Sequence, residues 1–178
     1  MIKKSFKLLV GGFIVLTIIA ALGHRVIIPK LIPLSDLPTP SGIYDVGTRI
    51  FEWTDDSRDE WFTEEKDDKR RIVVQVWYPS EDTNSVPVPY LVSADKWLPA
   101  LSGILEIPQF LFNHLQNIGT HSVLDASVNK QIEDAPLVLF SHGIWGMRFQ
   151  NTAQFEALAS RGYIVASGDH PYDASLTL

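Results

Sequence analysis

None of the 178 residues is cysteine, which excludes disulfides, thiolate nucleophiles and cysteine-bound zinc. The compartment stays open, because an exported protein need not carry disulfides. The glycine spacing G-x-G-x-x-G of a dinucleotide site is missing, and so is the glycine-rich loop ending in Lys-Ser or Lys-Thr that cradles phosphates. Internal repeats and low-complexity tracts are absent. His114 and His121 stand seven apart, too far to share a metal on one helical turn, so the sequence offers no metal site and no cofactor site. Positive charge is scarce: 15 Lys and Arg face 21 Asp and Glu, for a net charge of −6. Three of those cations are Lys3, Lys4 and Lys7, and without them the remainder carries −9. Nucleic acid and anionic membrane surfaces are both disfavoured as partners of such a chain.

A composition of 46% hydrophobic and 20% charged residues predicts one globular domain with a real core. The N-terminus departs from it. Behind the three lysines, Leu8 to Gly23 runs uncharged, in the order of an export segment. As a helix, these 16 residues would extend about 24 Å against a hydrocarbon layer of about 30 Å. Ala21-Leu22-Gly23 offers a small-x-small cleavage site, whereas Val26-Ile27-Ile28 would lengthen an uncleaved anchor; both fates stay open. Either way, the remainder is expected outside the cytoplasm, secreted or held at the membrane through its N-terminal segment. The organisation read from this is a signal peptide or anchor over 1–24, a proline-rich linker over 25–40 and a domain over 41–178.

Within the domain, Gly42 to Trp53 alternates loosely and predicts a half-exposed strand, followed by nine acids between Glu52 and Asp68 that suit a solvated hairpin connection. A calcium loop is excluded there by the missing glycine. Arg71 to Tyr78 is rich in β-branched and aromatic residues and should pair antiparallel with the strand before it. From Pro87 to Asp134 no strand stands out. Apolar residues near helical spacing (Trp97, Leu98, Leu101, Ile104, Leu105; then Phe110, Leu111, Leu115, Ile118) predict two short amphipathic helices, whose faces pack on the sheet or, in the alternative, line an acyl pocket or touch a lipid surface.

The remaining stretch carries the chemistry. Leu137 to Phe140 is an uninterrupted apolar run, which suits a parallel strand covered on both faces. It breaks at Ser141-His-Gly-Ile-Trp-Gly146, whose two glycines predict backbone conformations that a β-carbon would forbid. Asn151 is positioned to cap a helix with Gln154 in the capping-box place, Phe155, Leu158 and Ala159 share one face, and Gly162 stops it. A second apolar run, Tyr163 to Ala166, then leads into Ser-Gly-Asp169-His170-Pro171. Strand, loop, helix and strand of this kind cross over right-handed with both C-terminal ends on one edge, where α/β folds place ligands.

The segments Arg71–Pro79, Gly119–Asp125, Pro136–Gly143, Glu156–Ala166 and Asp169–Asp173 together resemble the bacterial branch of the platelet-activating-factor acetylhydrolase family, over about Thr39 to Leu178. That resemblance implies the N-terminal part of an α/β-hydrolase fold, two antiparallel strands followed by a parallel β-α-β unit. It implies a serine carboxylesterase that, in some members, removes short acyl groups from phospholipids and so serves lipid degradation. It also implies that the backbone N–H of Ile144 serves an oxyanion hole, with His142 and Gly143 shaping the supporting loop. Trp145 and Phe149, the aromatics of the same stretch, are the candidate substrate contacts, and a small-molecule or lipid ester is the implied partner.

One element of the family pattern is absent. No Gly-x-Ser-x-Gly occurs in the 178 residues, so the nucleophile, its acid and its histidine are expected beyond Leu178. His142 is then no triad base. Ser141, the last strand residue with no elbow around it, is a poor nucleophile, and Asp169 is placed to hydrogen-bond the loop. The alternative reading is an inactive, membrane-tethered or lipid-binding remnant of such a hydrolase.

Overall fold

The computed structural model describes residues 10–15, 17, 30, 36–65, 67–81 and 85–174. Of the expected export segment, 1–24, residues 10–15 and 17 are described and the rest lies outside the described residues. No helix among those described is long and apolar enough to cross a membrane. Of the expected linker, the described part is tied down: the Leu37 N–H donates to Gly119 O at 3.0 Å, and Asp36 Oδ1 accepts the Gly119 N–H at 2.9 Å.

Among the described residues, five strands form one sheet in the order β3-β1-β2-β5-β4. They are β1 (Asp45–Asp59), β2 (Lys69–Ser80), β3 (Ser122–Leu124), β4 (Leu137–Ser141) and β5 (Ile164–Asp169). The β1–β2 pair is antiparallel as expected, β5 runs antiparallel to β2, and β4 runs parallel to β5. In β2 the alternation that predicts a strand also sorts the side chains, with Val73, Gln75 and Trp77 buried at every second position. Gln75 is accommodated because its amide donates to Thr48 Oγ1 at 3.0 Å, and that hydroxyl donates onward to Val76 O.

Among the described residues, the sheet is accompanied by the helices α1 (Ala94–Leu105) and α2 (Thr152–Ala159). Phe155 of α2 joins the layers, its ring 4.8 Å from Trp77 on β2 and 5.0 Å from Phe140 on β4. The expected stop at Gly162 is a left-handed C-cap. With φ +98°, it lets its own N–H reach Ala159 O while the Tyr163 N–H reaches Leu158 O.

Several expectations are corrected. The second amphipathic helix is two 3-10 segments, Gln109–Leu111 and Asn113–Asn117. The residues that pack inward there, Phe112, Leu115 and Ile118, are spaced by three, which matches three residues per turn better than 3.6. A strand missed in the sequence, β3, pairs parallel with β1 through Val46 to Thr48; three residues are too few to show a period. The acidic stretch is not all loop, since β1 continues to Asp59 with a register shift after Asp55. Arg71 meets Glu52 at 2.8 Å and Lys69 meets Asp59 at 2.5 Å, so cross-strand cations hold part of the acidic ribbon. Finally, β4 is covered on one face only among the described residues: Val138 and Phe140 pack on the core, whereas Leu137 and Leu139, on the opposite face, stand 61% and 76% exposed.

Candidate active site

β4 and β5 are parallel neighbours, so the loop after Ser141 and the segment after Asp169 leave the same edge of the sheet. Contacts bind the two together. The Trp145 N–H donates to Asp173 O at 2.7 Å, the His170 N–H donates to His142 Nε2 at 3.0 Å, and the Arg148 N–H donates to Asp169 Oδ1 at 2.7 Å. The Arg148 guanidinium also pairs with Asp169 Oδ2, and both side chains are buried. Asp169 thus does hydrogen-bond the loop, as its position suggested.

His142 is held at both ring nitrogens. Nδ1 lies 2.7 Å from Gly143 O, a pure acceptor, and Nε2 accepts the His170 N–H. Those partners require the neutral ring with its proton on Nδ1 and leave no lone pair for base catalysis. His142 shapes the turn. Gly146 is required by space and not by dihedral angle: a β-carbon there would meet His142 Cβ at 2.7 Å and Gly143 O at 2.9 Å. Gly143 needs neither, having open space and no left-handed φ. The left-handed residue of the loop is Trp145, with φ 61°.

Between these fixtures, Ile144 is set apart. Both following N–H groups are engaged, Trp145 to Asp173 O and Gly146 to Gly143 O, whereas the Ile144 N–H makes no hydrogen bond among the described residues. The residue is 81% exposed. A backbone donor held open at a sheet edge by bonded neighbours is the arrangement that stabilises an oxyanion.

The two aromatic candidates separate. Trp145 is exposed on the loop. Phe149 is in the core, 3% exposed, its ring edge-on to Trp97 at 4.8 Å and to Tyr90 at 5.3 Å, because the turn leading into α2 swings it inward. It packs the domain and presents no surface to a substrate in this arrangement. Nor does Asn151 cap α2 with its side chain: its ψ of 27° continues the preceding turn, only its carbonyl accepts, and no capping box forms.

Ser141 and His170 stand at nucleophile–base distance, Oγ to Nε2 2.7 Å. No carboxylate among the described residues holds the other nitrogen of His170, and Ser141 ends a strand with no elbow.

Sequence reasoning passed over two buried ionic groups. Arg148 carried a weak signal, a lone cation seven residues after Ser141 between two apolar neighbours. Glu156 carried none, since a glutamate on a short helix reads as surface. It is fully buried, and its Oε1 accepts the Ser122 hydroxyl and the His121 N–H at 2.8 Å. Its Oε2 has no partner among the described residues, and burial pushes the carboxyl above its ordinary range.

An antiparallel pair feeding a parallel β-α-β unit is the N-terminal part of an α/β-hydrolase fold. The chain belongs to the platelet-activating factor acetylhydrolase, isoform II, family, whose model matches residues 32–177. Among solved structures it is similar to a ferulic acid esterase from Streptomyces cinnamoneus, with 30% identity and a TM-score of 0.64. That match covers 79% of this chain and 38% of the esterase, so the chain spans well under half of the neighbour's length.

Proposed function

We propose that the chain forms the oxyanion-hole half of a serine carboxylesterase that removes short acyl groups from phospholipids or similar esters. The observation that carries this reading is the Ile144 N–H, left without a partner at the exposed edge where β4 and β5 end. Family membership and the esterase neighbour support the reaction class. The nucleophile belongs to a part of the protein following Leu178. Two facts support that placement: the 178 residues hold no Gly-x-Ser-x-Gly, and the match covers 38% of the neighbour. During acyl transfer the carbonyl oxygen gains charge, and a preset donor binds that charge more tightly than it binds the ground-state ester.

The test is a pair of substitutions in the protein that includes the downstream part. Ile144→Val keeps the N–H and should leave kcat near the parent value. Ile144→Pro removes it and should lower kcat by roughly 10²–10³ on a short-chain nitrophenyl ester, the usual cost of one oxyanion donor. The comparison holds for a variant whose melting temperature and KM stay near the parent's. An undiminished kcat in folded Ile144→Pro would show that the loop is an ordinary turn.

In this reading the enzyme works outside the cytoplasm, supported by the lysine-then-apolar order of residues 1–23. A reporter fused after Lys30 should appear outside; a cytoplasmic reporter would refute export. Loss of the mass of residues 1–23 would favour cleavage over anchoring.

A further inference from the structure

The geometry points to Arg148 and Asp169 as a positioning pair that holds the Ile144 donor in place, an inference that rests on the oxyanion reading above. Asp169 is the last residue of β5 and is fully buried, and one of its oxygens accepts a main-chain N–H of the loop while the other pairs with that same residue's guanidinium. One carboxylate thus fixes both the backbone and the side chain of Arg148, four residues beyond Ile144. On the other side of Ile144, His142 is fixed by the His170 N–H, the residue next to Asp169. The donor is therefore suspended between two anchors supplied by consecutive residues of β5's end. The ion pair is not there for burial's sake. Arg148 Nε has no partner among the described residues, and two desolvated charges at this place gain little over apolar side chains of similar size. What an apolar pair cannot supply is the acceptor for the Arg148 N–H. That single bond separates a positioning role from a packing role.

The separation can be measured in the protein that includes the downstream nucleophile. Removing one partner alone strands a buried charge and invites unfolding, so the informative variant is the double substitution Arg148→Met with Asp169→Leu. It should keep the parent's melting temperature or exceed it. We expect amide exchange in residues 142–147 to quicken by about tenfold or more while peptides from α2 and β2 stay unchanged. With the donor displaced, kcat should fall by roughly 10- to 100-fold at a nearly constant KM. Should that double variant misfold, Arg148→Met with Asp169→Asn, which strands no charge and keeps an acceptor for the main-chain N–H of residue 148, serves instead and should lose less kcat than Arg148→Met with Asp169→Ala. Unchanged exchange over 142–147 in a folded variant overturns the proposal. Quickened exchange with unchanged kcat also overturns it where Ile144→Pro is costly. If Ile144→Pro is silent as well, the oxyanion reading has failed and not the clamp's hold on the loop.

Discussion

At the scale of single residues, the loop from Ser141 to Gly146 divides its work unevenly. Gly146 is where backbone and His142 come too close for a β-carbon, so Gly146→Ala should destabilise the loop and lower activity. Gly143→Ala should be tolerated by the fold, because open space surrounds that position. A thermal melt with a kcat measurement on both variants checks the contrast, and equal losses would show that Gly143 carries a constraint the structure does not contain. Ser141 poses a sharper question, given its 2.7 Å approach to His170. If the nucleophile lies downstream, Ser141→Ala should retain kcat to within a few-fold. Complete loss without unfolding would instead make Ser141 and His170 the working dyad.

At the scale of elements, α2 is held by one aromatic and one acid. Phe155 bridges β2 and β4, and its truncation to alanine should cost about 3–5 kcal/mol of stability, the usual range for a buried ring. Glu156 ties the same helix to β3 through Ser122 and the His121 N–H. Burial raises its folded-state affinity for a proton, so the sign of its linkage is opposite to that of a salt-bridged carboxylate. Its contribution is greatest below the ordinary glutamate range and declines as pH rises through that range toward its raised folded value. Glu156→Gln keeps an oxygen for both donors and cannot ionise. Denaturant unfolding at pH 4.5 and pH 8 should show a smaller decline for Glu156→Gln than for the parent; an equal decline would mean that Glu156 does not titrate in this window. Asp55 shows the usual sign on the surface, where hydrogen bonds from Ser57 and Arg58 lower its pKa to about 2.

At the scale of the whole molecule, the described sheet has an open edge at β4. β4 is the outer strand of the described sheet, with one backbone edge unpaired there and Leu137 and Leu139 open on one face. Unpaired edges with apolar faces recruit other chains. Residues 41–178 produced alone should self-associate, and sedimentation velocity should show less association for Leu139→Lys than for the parent. The same product should turn over no nitrophenyl acetate above the buffer rate. Monomeric behaviour of the unsubstituted product would remove the argument that a further strand completes this edge.

Much of this was legible in the residues themselves, for reasons that are local. The β2 run of β-branched and aromatic residues, the i, i+3, i+4 face of α2 and the stop at Gly162 each follow from backbone sterics and periodicity within a dozen residues. The place of the Ser-His-Gly-Ile loop was legible because a broken apolar run followed by an amphipathic helix fixes which end of the sheet it occupies. What only the tertiary structure decided is long-range. The three-residue β3 exists because β1 gives it partners, the acids of β1 are ordered by cations ten to twenty residues away, and Phe149 is buried because the turn into α2 carries it against Trp97 and Tyr90. Sequence could nominate the Ile144 N–H, but its openness depends on where its neighbours' hydrogen bonds go, and Asp173, His170 and Asp169 reach the loop only once β5 lies beside β4.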